Sequence, residues 1–141
     1  MAWANAAYAR AIARKMIRNA AREMTIRVVG AGESRRLNRA WRGKDKPTNV
    51  LSFPAQDESF QHMNEPVPLG DLAICAPIVA QEAREQGKPA RAHWAHMVVH
   101  GVLHLVGYDH ENDADADRME GEEISILERL GFDNPYLDSN P

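Results

Sequence analysis

The chain has almost no cysteine. Cys75 stands alone among 141 residues, so an internal disulfide is excluded, and a chain of this length buries roughly two thirds of its unfolded surface without one. Its setting in Leu72-Ala-Ile-Cys75 reads as a buried strand position, with a reactive thiol the lesser reading. A long hydrophobic run is missing too. The longest apolar stretch, Trp94 to Val106, is interrupted by His96, His100 and His104 and falls short of the roughly 20 residues that span a bilayer. Nor is a secretory leader expected, because Arg10, Arg14, Arg18 and Arg22 break the alanine-rich start where an apolar core would be needed. No repeat, low-complexity tract or linker divides the chain. One domain over residues 1–141, in the cytoplasm and without membrane contact, is the expectation.

The net charge of −3 conceals a division along the chain. Residues 1–46 carry 12 Lys and Arg against three acids, a balance of +9, while the remainder carries five against 17, a balance of −12. Within the first part Arg35, Arg36, Arg39, Arg42, Lys44 and Lys46 crowd together with one acid, Asp45. Such a cluster suits phosphates, and it equally suits a solvated helix face balanced in space by the acidic half.

Periodicity predicts the elements. Tyr8, Ile12 and Met16 at helical spacing place an amphipathic helix over Trp3 to Glu23. Alternation predicts a strand from Thr25 to Val29. A short helix from Glu33 to Arg42 carries Leu37 and Trp41 on one side and ends near Gly43. Strands follow at Asn49 to Phe53, stopped by Pro54, and at Asp71 to Cys75, with a polar loop to about Pro68 between them. Pro77 fits the first turn of a helix to Gln86 that Gly87 stops. A histidine-bearing helix then runs from Pro89 or Ala90 to near Gly107, and a last helix from about Asp113 to Leu130 has Met119, Ile126, Leu127 and Leu130 as its apolar face. The order gives an α+β fold: a small mixed β-sheet packed with about five α-helices.

Function is concentrated in His100-Gly-Val-Leu-His104-Leu-Val-Gly107-Tyr-Asp-His110. Residues four apart share a helix face, so the rings of His100 and His104 can converge on one cation. Gly107 can end the helix and turn the chain back, bringing His110 to the same ion from another side. Three protein ligands leave the fourth tetrahedral position to water, which a divalent metal acidifies towards neutral pH. His93 and His96 compete for the role. His96 and His104 are separated by about 12 Å of helix rise, too far for one metal, whereas a His96/His100 pair stays possible. Taken singly, His93 and His96 read as polar residues on a helix face.

The spacing also matches the zinc-peptidase pattern H-E-x-x-H-x-x-G-x-x-H except at one letter, since Gly101 stands where that pattern has its general base. Asp109 and Glu111 flank the third histidine and read as solvated or supporting carboxylates, with direct chemistry the lesser reading. The spacing by itself therefore leaves open a zinc peptidase or other hydrolase, and a non-catalytic protein whose zinc is structural. A structural zinc ordinarily has four protein ligands, and no fourth is evident beside the triplet.

The segments Arg42-Gly-Lys-Asp-Lys-Pro-Thr-Asn-Val-Leu-Ser-Phe-Pro54, Gly70-Asp71 and His93-Trp-Ala-His-Met-Val-Val-His100 through His110 resemble the YbeY family of bacterial endoribonucleases, over residues 25–136 or so. The resemblance implies a zinc-dependent endoribonuclease that cuts single-stranded RNA, acting in maturation of the small-subunit ribosomal RNA 3′ end and in ribosome quality control. It implies His100, His104 and His110 as the zinc ligands and Arg42 as the arginine facing the metal. The implied partners are single-stranded and ribosomal RNA, together with the ribosome or its proteins. In this reading Arg42 holds non-bridging phosphate oxygens, and Ser52 either helps position substrate or satisfies a neighbour. Three imidazoles also suit nickel, copper or iron. One departure stands at the start: the family's members usually begin with a strand ahead of the first long helix, and here the helix comes almost directly. A missing strand would leave a sheet edge less covered.

Overall fold

In the computed structural model, residue 3 and residues 22–55, 67–109 and 111–137 are described. They form β1 (Arg22–Val29), α1 (Ala31–Arg42), β2 (Val50–Pro54), β3 (Val67–Cys75), α2 (Ala76–Gln86), α3 (Ala90–Leu105) and α4 (Asp113–Arg129). The class is α+β, with a three-stranded mixed sheet and four helices among the described residues. The sheet order is β1-β3-β2; β3 is the middle strand, parallel to β1 and antiparallel to β2.

Both faces of β3 are covered, which is why Leu72 to Cys75 reads as an unbroken apolar run. Successive side chains of a strand point to opposite faces. Leu72 and Ile74 join Val98, Val99, Val102 and Leu103 of α3 and Met119, Ile126 and Leu127 of α4 in the larger core. Ala73 and Cys75 face the other way, with Val29, Leu51 and the partly buried Leu37 of α1. The same alternation sorts β2, where Leu51 and Phe53 belong to the α1 side and Val50 to the α3 side.

α3 is the central helix, buried on most of its circumference. It comes unusually close to the sheet at Gly101. A Cβ there would lie 2.8 Å from Leu72 Cδ2 and 3.2 Å from Val50 Cγ2, so the position that interrupts the peptidase pattern is walled by β2 and β3. The helix stops as expected. Gly107 has φ of 111°, a conformation other residues rarely adopt, and Tyr108 N–H donates to Leu103 C=O to close the turn.

Several boundaries differ from expectation. Trp3 is helical and meets Phe132 edge-on at 6.0 Å, but residues 4–21, with Tyr8, Ile12 and Met16, lie outside the described residues. Arg22 and Glu23 do not end that helix. They open β1, because β3 itself begins four residues early, at Val67, and gives them ladder partners in Val67 and Pro68. Pro68 is tolerated because the β2 ladder extends only to Gly70, and a proline lacking its N–H needs one strand side without a bond. Residues 56–66 of the expected loop lie outside the described residues. None of the described helices is long and apolar enough to cross a membrane.

Candidate active site

A cleft of about 620 Å³ runs along β2, lined among others by Arg42, Ser52, His100, His104, Asp109 and Glu111. Two layers contribute to it. Arg42 ends α1 on one side of the sheet, and the histidines come from α3 on the other. Local bonds fix the arginine's end. Ser34 Oγ donates to Thr48 C=O at 2.9 Å, and Asn38 Nδ2 donates to Lys46 C=O at 2.8 Å. These two polar side chains, rather than an apolar stripe, are the buried face of α1, and they tie the loop after Gly43 to the helix. Trp41 is half exposed on the cleft, edge-on to Phe53 with ring centroids 5.1 Å apart.

The basic cluster divides. Arg35 is bidentate on Asp45 at 2.7 and 2.9 Å, and Arg39 lies 4.0 Å from the same carboxylate. The Arg35 hydrogen bond holds the Asp45 carboxyl below its ordinary range. Arg36, Arg42, Lys44 and Lys46 are exposed, and of the cluster Arg42 lines the cleft.

On α3 the spacing of His100 and His104 brings their rings together, with centroids 4.7 Å apart. Ser52 Oγ donates to Gly101 C=O at 3.1 Å, so the hydroxyl satisfies a neighbour and pins β2 to the helix one residue past His100. Asp109 and Glu111, the residues either side of position 110, both line the cleft; His110 itself lies outside the described residues.

Behind the cleft stands a group that sequence reasoning missed. His100 Nδ1 meets Glu123 Oε1 at 2.8 Å, His96 Nε2 meets Glu123 Oε2 at 2.6 Å, and Tyr136 donates its hydroxyl to Oε2 at 2.6 Å. Burial raises the Glu123 carboxyl, but hydrogen bonds and charge from His100 and His96 together outweigh it and hold the group at about 2. Burial, followed by the neighbouring Glu123 carboxylate, pushes the Tyr136 phenol far up. His93 is likewise buried, with Nε2 at 2.9 Å from Glu82 Oε1. His93 and His96, expected singly as polar residues on a helix face, are both buried against carboxylates from other helices.

The donor set fits a divalent cation. Adjacent imidazoles are good ligands for such an ion, and engagement of His100 Nδ1 makes Nε2 the ring nitrogen a cation would take. His96, His100 and Glu123 also bring ligand atoms within 4.8 Å of one another, a group that could itself hold a metal ion. A model of the family described as endoribonuclease YbeY matches residues 2–131. The chain belongs to the YbeY endoribonuclease family.

Its relatives agree along most of their length. It is similar to the endoribonuclease YbeY of Halorhodospira halophila, 59% identical over 116 residues that make up 82% of this chain and 75% of that one. The endoribonuclease YbeY of Alkalilimnicola ehrlichii is 60% identical over 114 residues, 80% of this chain and 68% of the relative. The solution structure of the Thermotoga maritima protein TM1509 superposes with a TM-score of 0.55 at 31% identity, covering 95% of this chain and 85% of that one. Of the family's implied site, Arg42, His100 and His104 are thus together on one cleft. Glu123 had a sequence signal: it falls four residues after Met119 and three before Ile126, on the stripe read as apolar.

Proposed function

We propose that this endoribonuclease cleaves single-stranded RNA, ribosomal RNA included, with a divalent metal, zinc first, held by His100, His104 and His110. The observation that carries the reading is the meeting of Arg42 with His100 and His104 on one cleft. Bound there, the cation supplies Lewis acidity towards a phosphoryl oxygen and acidifies water near neutral pH. Arg42 binds non-bridging oxygens through its planar fork of donors and offsets their growing negative charge. Asp109 and Glu111 would repel a phosphodiester by themselves, which is a further reason for a cation between them and the chain being cut. Trp41 offers a ring face to an unpaired base, and bases locked in a duplex cannot reach it, so single strands are the preferred substrate. Processing of the small-subunit ribosomal RNA 3′ end and ribosome quality control, in the cytoplasm, are the setting that family membership supports.

The peptidase reading loses its footing at Gly101, where the sheet leaves no room for the glutamate that route needs. The non-catalytic reading requires a fourth protein ligand and would leave the arginine-bearing cleft without a purpose. Metal content and cleavage of a single-stranded RNA, measured together for the parent, His104→Ala and Arg42→Ala, test the proposal. His104→Ala should lose metal and activity. Arg42→Ala should keep its metal and lose about 10²–10³-fold in rate, the usual cost of removing one donor to a developing anion. Full activity in Arg42→Ala, or unchanged metal binding in His104→Ala, would overturn the assignment.

A further inference from the structure

Glu123 has no solvent exposure, so its carboxyl lies wholly inside the core. Isolated burial of a carboxylate is strongly unfavourable, so its partners must explain its presence. Every partner is a proton donor, and the three converge from two parts of the fold. His96 and His100 come from α3, and Tyr136 from the segment after α4. His96 Nδ1 is buried with no partner among the described residues, so the ring's proton belongs on Nε2, where Glu123 accepts it.

We infer that Glu123 is a positioning residue for the metal centre, holding the ring of His100 by accepting its Nδ1 proton. The inference rests on the reading of His100 as a metal ligand. A carboxylate on Nδ1 fixes the tautomer in which the Nε2 lone pair is available, stops the ring from rotating and raises its basicity. His96 and Tyr136 complete the arrangement from the other side: both bond to Oε2, which leaves Oε1 to His100. The alternative, with Glu123 and His96 as direct ligands, would take two hydrogen bonds from a fully buried oxygen. It would also set the ion behind the cleft, away from Arg42.

Zinc affinity, measured by competition with a chromophoric chelator, and the imidazole ¹⁵N spectrum of the metal-free protein distinguish these cases. Glu123→Gln preserves volume and removes the charge. Its zinc affinity should fall about 10–100-fold, the range for loss of an outer hydrogen-bond partner. The His100 resonances should also change from a single Nδ1-protonated tautomer to a mixture, which a merely structural role would not produce. His104→Ala serves as the control and should lose binding altogether. Unchanged affinity and tautomer in Glu123→Gln, with binding lost in His104→Ala, would refute the positioning role while leaving the metal site intact. Binding retained in His104→Ala but lost in His96→Ala and Glu123→Gln would make Glu123 a ligand and overturn both readings. If Glu123→Gln does not fold, Tyr136→Phe removes the bond to Oε2 and the 3.3 Å contact with His96 Nε2 while leaving the Oε1 bond to His100 in place; a few-fold weaker affinity then supports the inference, and an unchanged one refutes it.

Discussion

Restoring the glutamate of the peptidase pattern at position 101 should weaken the fold and create no new activity. The magnitude follows in two steps. A Cβ at 101 meets Leu72 Cδ2 at 2.8 Å and Cδ1 at 3.0 Å, and Leu72 is fully buried in the core. Overpacking of this kind costs about 1–3 kcal/mol, and relief of glycine's helix penalty returns about 1 kcal/mol. Gly101→Ala should therefore be destabilised by about 1 kcal/mol, or roughly 4 °C in Tm for a domain of this size. Gly101→Glu adds a carboxylate facing Leu72 and Val50 side chains, worth at least about 2 kcal/mol more without a partner. Against a total stability of about 5–15 kcal/mol, that variant should lose on the order of 1–2 M in its urea midpoint and show no peptidase activity. Urea unfolding followed by circular dichroism of the parent and both variants measures each step. A Gly101→Glu protein as stable as Gly101→Ala would show that position 101 is open, and would refute the wall of β2 and β3 as the reason for its glycine.

Two further outcomes follow from the cleft and the buried acid. Trp41→Ala should bind single-stranded RNA about 5–100-fold more weakly, the loss of one base–aromatic stack, while Trp41→Phe retains most of the affinity; a Trp41→Ala loss that stays the same size on an abasic RNA series would remove the stacking role. The Glu123 carboxyl is held at about 2 against an ordinary 4.5, so its folded form prefers the charged state. That contribution, about 3 kcal/mol, is complete above pH 4.5 and is lost as pH falls towards 2. Thermal unfolding of metal-free protein between pH 2 and 6 should show this loss in the parent and a flatter profile in Glu123→Gln.

Much of the frame was legible because it depends on local rules. The four-residue spacing of His100 and His104 requires only a helix, and Gly87 and Gly107 end helices through backbone angles that belong to glycine. The single cysteine was correctly read as a buried strand residue. What was not legible depends on partners distant in sequence. The loop was read as running to about Pro68 because nothing local shows that β3 already pairs with β1 from Val67. Nothing local marks Ser34 and Asn38 as buried, because the carbonyls they bond, of Thr48 and Lys46, lie in the loop beyond the helix. Glu123 was passed over within an apolar stripe, since the imidazoles and phenol that make its burial tolerable lie 23, 27 and 13 residues away. In sequence the basic cluster suits a phosphate footprint and a solvated face equally, and the structure divides it: Asp45 engages Arg35, while Arg42 reaches the cleft.

Among the described residues, β2 has no strand on its outer side. A bare margin of backbone amides and carbonyls ordinarily recruits a stranger's chain and seeds aggregation. Here that margin lies along the cleft, between the end of α1 in one layer and α3 in the other. Shelter for a vulnerable border and a berth for a narrow polymer are thus the same trough, and any sequence change that widened it would endanger solubility along with catalysis.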